Sequence, residues 1–375
     1  MAKLYDANPF TPVFGKVPPY LAGREDIIDN LCAALEQPIG NPDSCSIFVG
    51  ARGTGKTTLL GALANEAEQR GWVSANVFAQ EGMLEDIVQR TKDSAAHLIE
   101  SDQKRSITGV SVAHIGGLTF DTLKNDSTSN WRTQMNELFA QIEETNTGLL
   151  ITVDEVDSGL DELKQLISTY QMFVRENKKV MLLMAGLPHQ VSSLLSGRTT
   201  SFLRRATRYN LGPIPSYEVR DAFRLTVISG GREITDEAVE EAVRVIDGFP
   251  YMFQLVGFRA WNYRRNQKLM EVEDIINGAR SAEEQLEAQV YDATFKDLSD
   301  ADIAFLEAMA QDEKETTRID LMDRLGKPSS HISAYKKRLL DGGLIEEPRR
   351  SVFVFALPKL REYILENYSN EDQRV

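Results

Sequence analysis

The segment Gly50-Ala51-Arg52-Gly53-Thr54-Gly55-Lys56-Thr57 fits the pattern G-x-x-x-x-G-K-[ST]. It lies between an apolar run, Ser46–Val49, and a helical pattern that opens at Thr58. A chain that carries this pattern in this setting is confined to few architectures. Glycines let the backbone turn tightly enough for successive N–H groups to converge on phosphate oxygens. The helix that follows offers the positive end of its dipole to the same anion. Lys56 adds a mobile charge for the β- and γ-phosphates, and the Thr57 hydroxyl suits Mg²⁺. The expected nucleotide contacts are Gly50, Ala51, Arg52, Gly53, Thr54, Gly55, Lys56, Thr57 and Thr58. The competing reading, a glycine-rich turn with no ligand, does not account for the lysine and the hydroxyl together.

A second motif is expected on another strand of the same sheet. Leu149-Leu150-Ile151-Thr152-Val153-Asp154-Glu155 is an apolar strand that ends in two carboxylates. Asp154 would hold Mg²⁺ through its water shell. Glu155 is placed to orient and deprotonate an attacking water. Asp157 reads as part of the start of the next helix. At least one strand, Val73–Phe78, separates the two motifs along the chain, and the interval leaves room for an additional strand between them in the sheet.

Other strand-sized runs are Val180–Ala185 and Arg208–Leu211. Helical patterns fill most gaps, over Thr57–Arg70, Leu84–Glu100, Trp131–Glu144, Gly159–Glu176 and His189–Leu195. Strands that alternate with helices predict an α/β fold, a five-stranded parallel sheet of the P-loop NTPase kind. Residues 106–121 alternate weakly and carry three glycines, which predicts a β-hairpin insertion, either a plain loop or a functional arm. After Gly212-Pro213 the pattern becomes helical, over Tyr217–Ser229, Thr235–Ile246, Tyr251–Arg265 and Val272–Ala288. A third pattern starts near Leu298. The expected division is 1–214 for the α/β domain, 215–295 for a helical lid, 296–368 for a third domain and 369–375 for a disordered tail.

Composition removes several classes. Apolar residues make up 42% of the 375 and charged residues 26%, too apolar for a disordered chain. No apolar stretch reaches the ~18 residues of a membrane span, and Met1–Phe10 does not read as a secretory signal. Cys32 and Cys45 form no disulfide framework, so the cytoplasm is the expected compartment. The four histidines, His97, His114, His189 and His331, show no metal-ligand spacing. The net charge of −14 argues against bulk nucleic-acid binding. Locally the balance reverses: from Arg324 to Arg350 seven Lys/Arg face three Asp/Glu.

With both motifs in place, the chain resembles the AAA+ ATPases, in particular the origin-recognition (initiator) clade and its bacterial and archaeal relatives. The resemblance covers nearly the whole length. Val17-Pro18-Pro19-Tyr20-Leu21-Ala22-Gly23-Arg24-Glu25 is similar to the segment that runs under the adenine in that clade, which implies a nucleotide role for Gly23 and Arg24. The alternative for these residues is an ordinary helix start. The family carries a polar sensor after the strand that follows the Asp-Glu strand. That place here reads Met184-Ala185-Gly186-Leu187-Pro188, without Asn, Thr or Ser. The family's arginine finger, which reaches a neighbouring subunit's nucleotide, maps onto Arg204 or Arg205 in Ser201-Phe202-Leu203-Arg204-Arg205 and implies a homo-oligomer; a solvated basic turn is the alternative. The lid lacks the second sensor arginine. It carries Gly248-Phe249-Pro250-Tyr251, similar to the Gly-x-Pro of signal-transduction ATPases, whose proline packs by the nucleotide. ATP and Mg²⁺ are the implied cofactors, with slow or partner-stimulated hydrolysis.

Residues Leu298 to Leu365 look like a winged helix. Helices Asp300–Gln311, Arg318–Leu325 and Ser330–Leu340 precede strand-like Gly343–Glu346 and Val352–Leu357. The basic island falls on the third helix and the wing. Ser330 and His331 suit phosphate or base-edge contacts in double-stranded DNA. Lys336, Lys337, Arg338, Arg349 and Arg350 suit backbone phosphates. Two rivals stay open: a nucleotide-dependent signalling switch whose winged helix binds protein, and a nucleotide-binding scaffold without turnover.

Overall fold

Continuous apolar runs form strands that are covered on both faces. That holds in the computed structural model, which describes residues 7–13, 15–107, 130–143, 145–197 and 200–368. The chain divides into two units. The first comprises Arg24–Gly50 and Lys56–Leu211; the second comprises Met1–Gly23, Ala51–Gly55 and Gly212–Val375.

In chain order the first unit holds α1 (Glu25–Glu36), β1 (Cys45–Val49), α2 (Lys56–Gln69), β2 (Val73–Phe78), α3 (Met83–Ile107), α4 (Trp131–Glu143), β3 (Leu149–Asp154), α5 (Asp161–Arg175), β4 (Val180–Gly186), α6 (Pro188–Ser196) and β5 (Thr207–Asn210). The five strands form one parallel sheet in the order β2-β3-β4-β1-β5. Every residue of β3 and β4 is buried, as their unbroken apolar runs require. The edge strands β2 and β5 keep exposed positions, among them Asn76, Phe78 and Arg208. Alternation decides the faces. Ile47, Ile151, Leu182 and Met184 pack on one side with Phe139, Phe173 and Leu166. Phe48, Leu150, Met181 and Leu183 pack on the other with Leu31, Leu59 and Leu63. Each such side chain contributes about 1.5–3 kcal/mol by leaving water.

The additional strand is present, but it is β4 and not Val73–Phe78 that lies between the two motif strands β1 and β3. β2 forms the edge. The physical reason is burial: β4 is apolar throughout and fits the centre, whereas β2 carries Ser74 and Asn76. The sequence patterns also passed over α1. Its apolar stripe is short, with Leu31, Ala34 and Leu35 as its buried residues. α3 runs past the expected end at Glu100, so Ser106 and Ile107 are helical; the rest of the expected hairpin insertion lies outside the described residues, as does the tail 369–375.

The second unit holds α7 (Ser216–Ser229), β6 (Glu233–Ile234), α8 (Asp236–Ile246), α9 (Pro250–Tyr263), β7 (Leu269–Met270) and α10 (Val272–Leu286). α10 continues through a π turn (Glu287–Tyr291) into α11 (Asp292–Lys296). β6 and β7 make a small parallel pair that the helical pattern concealed. Then come α12 (Asp300–Ala310), β8 (Thr316–Thr317), α13 (Arg318–Leu325), α14 (Ser329–Asp341), β9 (Ile345–Arg349), β10 (Val352–Phe355) and α15 (Leu360–Asn367). The three strands form an antiparallel sheet in the order β8-β10-β9. Caps set these helices locally. Thr235, Ser299 and Thr317 accept backbone N–H bonds at the starts of α8, α12 and α13, and Gly326 closes α13 in the left-handed region. One apolar cluster runs from Phe10, Phe223 and Phe253 to Phe305, Phe353 and Ile364. Among the described residues no helix is long and apolar enough to cross a membrane.

Candidate nucleotide site

β1 ends at Val49, whose carbonyl accepts from Leu211 N–H at 2.7 Å. The glycine-rich loop follows, and Lys56 opens α2. Gly53 and Gly55 take φ of +77° and +87°, conformations that side chains disfavour. The glycines are thus demanded by the backbone. Within the first unit, Gly50 N–H donates to the Gly186 carbonyl at 3.4 Å, which ties the loop's start to the end of β4. Lys56 Nζ donates to the Gly50 carbonyl at 2.8 Å, so the ammonium folds back over the loop's own start. Thr58 sits in the first turn of α2.

The two motifs meet in the same unit. Thr57 Oγ1 donates to Asp154 Oδ2 at 2.5 Å, across 97 residues of sequence. Asp154 is buried at the end of β3, and its other oxygen accepts from Glu155 N–H at 2.9 Å. Glu155 is exposed and adopts φ +55°. A non-glycine residue in that region costs about 1–3 kcal/mol. The exposed Glu155 and the buried Asp154 thus stand side by side where the strand ends. Asp157 caps its own loop, accepting from Gly159 N–H at 2.8 Å, as expected of a helix approach.

Packing accounts for the glycine within Met184–Pro188, the stretch where the resemblance implies a polar sensor. Gly186 closes β4, and a Cβ there would lie 2.5 Å from Val156 Cγ2 and 3.3 Å from Val191 Cγ2. No Asn, Thr or Ser fits without displacing Val156, which is itself fully buried. The two finger candidates differ. Arg204 Nε donates to the Leu195 carbonyl at 3.0 Å, so its head is tied to α6. Arg205 is exposed. Arg204 also lines a shallow cavity with Arg208, Ser192, Ser196 and Asn210. Arg208 carried no sequence motif; its place on an edge strand beside Arg204 emerges only from the sheet order.

In the second unit the loop crest, Ala51–Gly55, meets the start of α9. Thr54 is buried and its hydroxyl donates to the Ala51 carbonyl at 2.9 Å. A Cβ on Gly55 would be 3.8 Å from Pro250 Cβ, and one on Gly53 would be 3.8 Å from Tyr251 Cβ. Pro250 is thus brought beside the phosphate loop, at the first turn of α9 where a proline costs no hydrogen bond. Gly248 turns the chain there with φ +74°, and its carbonyl accepts from Ile214 N–H at 2.7 Å. Gly23 is also conformationally required: at φ +69° a Cβ would lie 2.6 Å from Glu218 Oε2 and 2.9 Å from Ile214 Cγ2. In the first unit Arg24 is buried and stands at the N-cap position of α1, without a side-chain cap bond.

The basic island is largely engaged. Lys336 pairs with Glu347 at 2.7 Å, Arg338 with Asp302 at 2.7 Å, and Arg349 with Glu315 at 2.5 Å. Burial pushes the Asp302 carboxyl up, but the Arg338 guanidinium and the Ser299 hydroxyl outweigh it and hold it below its ordinary value. Ser330, His331, Lys337 and Arg350 are exposed. Arg318, Lys336, Arg349, Arg350 and Ser351 surround one cavity together with Glu347. Arg318 escaped notice in the sequence because it starts α13, and the β8-β10 pairing brings it to Ser351, whose carbonyl accepts from its N–H at 2.9 Å.

Comparison with known proteins follows the same lines. Among curated proteins none matches this sequence. A Walker-type ATPase of Pyrococcus abyssi is similar in structure, with a TM-score of 0.68 at 16% identity over 94% of this chain and 99% of that one. The ORC2 protein of Aeropyrum pernix, solved as ADPNP-ADP complexes, gives a TM-score of 0.58 at 13% identity over 95% of each chain. At these identities the likeness speaks to fold. Residues 288–364 match a domain of unknown function, DUF8462. Residues 20–181, which include both motifs, match the family model of the AAA ATPase domain.

Proposed function

We propose that the chain binds ATP with Mg²⁺, hydrolyses it, and couples its nucleotide state to duplex DNA binding by a C-terminal winged helix. The observation that carries the nucleotide half is the Thr57–Asp154 hydrogen bond, which joins the two motifs. A hydroxyl and a carboxylate are hard oxygen donors and fit Mg²⁺. When bound, the ion would screen the charge of the phosphates. Lys56, already folded over the loop, would trade the Gly50 carbonyl for phosphate oxygens. Glu155, exposed at the strand end, would orient and deprotonate water. The empty sensor position at Gly186 and the absent lid arginine favour slow or partner-stimulated turnover. In this proposal 1–214 form the ATPase domain, 215–295 the lid and 296–368 the DNA-binding domain. Arg205, exposed like Arg204 but without its bond to the Leu195 carbonyl, would serve as a finger toward a neighbouring subunit.

The order of three helices, a three-stranded antiparallel sheet and an exposed basic tip supports the DNA half. Ser330 and His331 at the start of α14 would meet base edges. Since Lys336, Arg338 and Arg349 are ion-paired, Lys337 and Arg350 are the charges best placed to neutralise phosphates. Affinity for random-sequence duplex should then fall with a log–log salt slope of about −2, at roughly −0.9 per phosphate. A Lys337→Ala/Arg350→Ala double variant should bring the slope close to zero. A slope unchanged in that variant would transfer support to the second reading, a signalling switch whose C-terminal domain binds protein. The seating of Pro250 beside Gly55 favours that second reading.

A further inference from the structure

The crest of the phosphate loop meets a second partner within its own unit, on the C-terminal segment. α14 ends at Asp341, and Gly342-Gly343 turn the chain towards β9. Gly343 is buried at φ +69°. A Cβ on it would lie 2.9 Å from Arg52 Nε, 3.1 Å from its Cδ and 3.3 Å from its Cγ. The stem of Arg52 therefore lies flat on the one residue type that leaves room for it. The guanidinium is brought to the carbonyl end of α14, where the helix dipole places about half a negative charge. Arg52 otherwise remains exposed. The phosphate-loop pattern accepts any residue at this position, so phosphate binding alone does not call for an arginine there.

We propose that Arg52 is a positioning residue that links occupancy of the phosphate loop to docking of the α14–β9 turn; the inference rests on the nucleotide-binding reading above. In the empty loop the Arg52 stem lies against Gly343, just past the end of α14. A triphosphate brings several negative charges to the same loop, against about half a charge at the helix end. Arg52 then exchanges the helix end for phosphate, and the turn is released. Linkage makes the effect reciprocal: a docked turn weakens ATP binding by the factor with which ATP weakens docking.

Two variants test this. Gly343→Ala keeps the charge of Arg52 but places a methyl group where its stem lies. Its ATP dissociation constant, by calorimetry, should fall about two- to fivefold, the size of a cation's interaction with a helix end. Arg52→Ala should speed hydrogen exchange at Gly343 and Leu344 in the nucleotide-free protein, to the rate that the parent shows with ATP, and ATP should add nothing further. Unchanged ATP affinity in Gly343→Ala would overturn the link. If Gly343→Ala fails to fold, exchange in Arg52→Ala decides alone, and protection equal to the parent's overturns the link. A parent that binds no ATP would overturn the nucleotide reading instead, so the two failures are distinguishable.

Discussion

Lys56→Ala is expected to abolish ATP binding, with affinity lowered by about two orders of magnitude or more. Hydrogen bonds to charged groups contribute about 1.5–3 kcal/mol each, and this ammonium would serve two phosphates. The backbone N–H groups of the cradle are neutral, and Arg52 at the crest acts from its own position, so the charge at the place of Lys56 is not replaced. The fold should survive. In the structure Lys56 makes a hydrogen bond to the carbonyl of Gly50 on an intermediate, part-buried side chain, and such a bond is worth about 1 kcal/mol. Calorimetric titration with ATP, alongside thermal unfolding, checks both halves. A variant that binds ATP like the parent would remove the loop from nucleotide binding.

Glu155→Gln is expected to leave ATP binding intact and to lower turnover by about 10²–10⁴-fold, the usual contribution of a general base. Glutamine has the same shape and, like glutamate, must accept φ +55° at this position. The cost in backbone energy is therefore unchanged, and only the proton acceptor is lost. Phosphate release at saturating ATP measures the effect. Turnover equal to the parent's would take Glu155 out of the chemistry and favour a scaffold that binds without hydrolysis.

The parts of the fold that were legible in the sequence are those with strong local signals. β3 and β4 announce themselves by unbroken apolar runs, and the phosphate loop by its glycines. Sheet order was less legible. Which strand separates β1 from β3 depends on relative burial, a property of the whole sheet. Short elements, β6, β7 and β8, have two residues each and no period to detect. The site divides in the same way. Lys56, Thr57 and Asp154 follow from spacing, and the structure brings Thr57 and Asp154 together. The ion pairs of the basic island were not legible, because Asp302 and Glu315 lie well away in sequence and Glu347 was counted as a neighbour, not as a partner. The need for a glycine at 186 emerges only once Val156 is seen against it.

Coupling between the nucleotide and the C-terminal domain is the central claim. Its most direct test is a titration of random-sequence duplex DNA at low salt, by fluorescence anisotropy, with the Glu155→Gln protein nucleotide-free and then ATP-loaded. Tighter DNA binding in the ATP-loaded protein, severalfold or more, is the predicted result. Equal affinities in the two states, with ATP shown to be bound, would contradict the account.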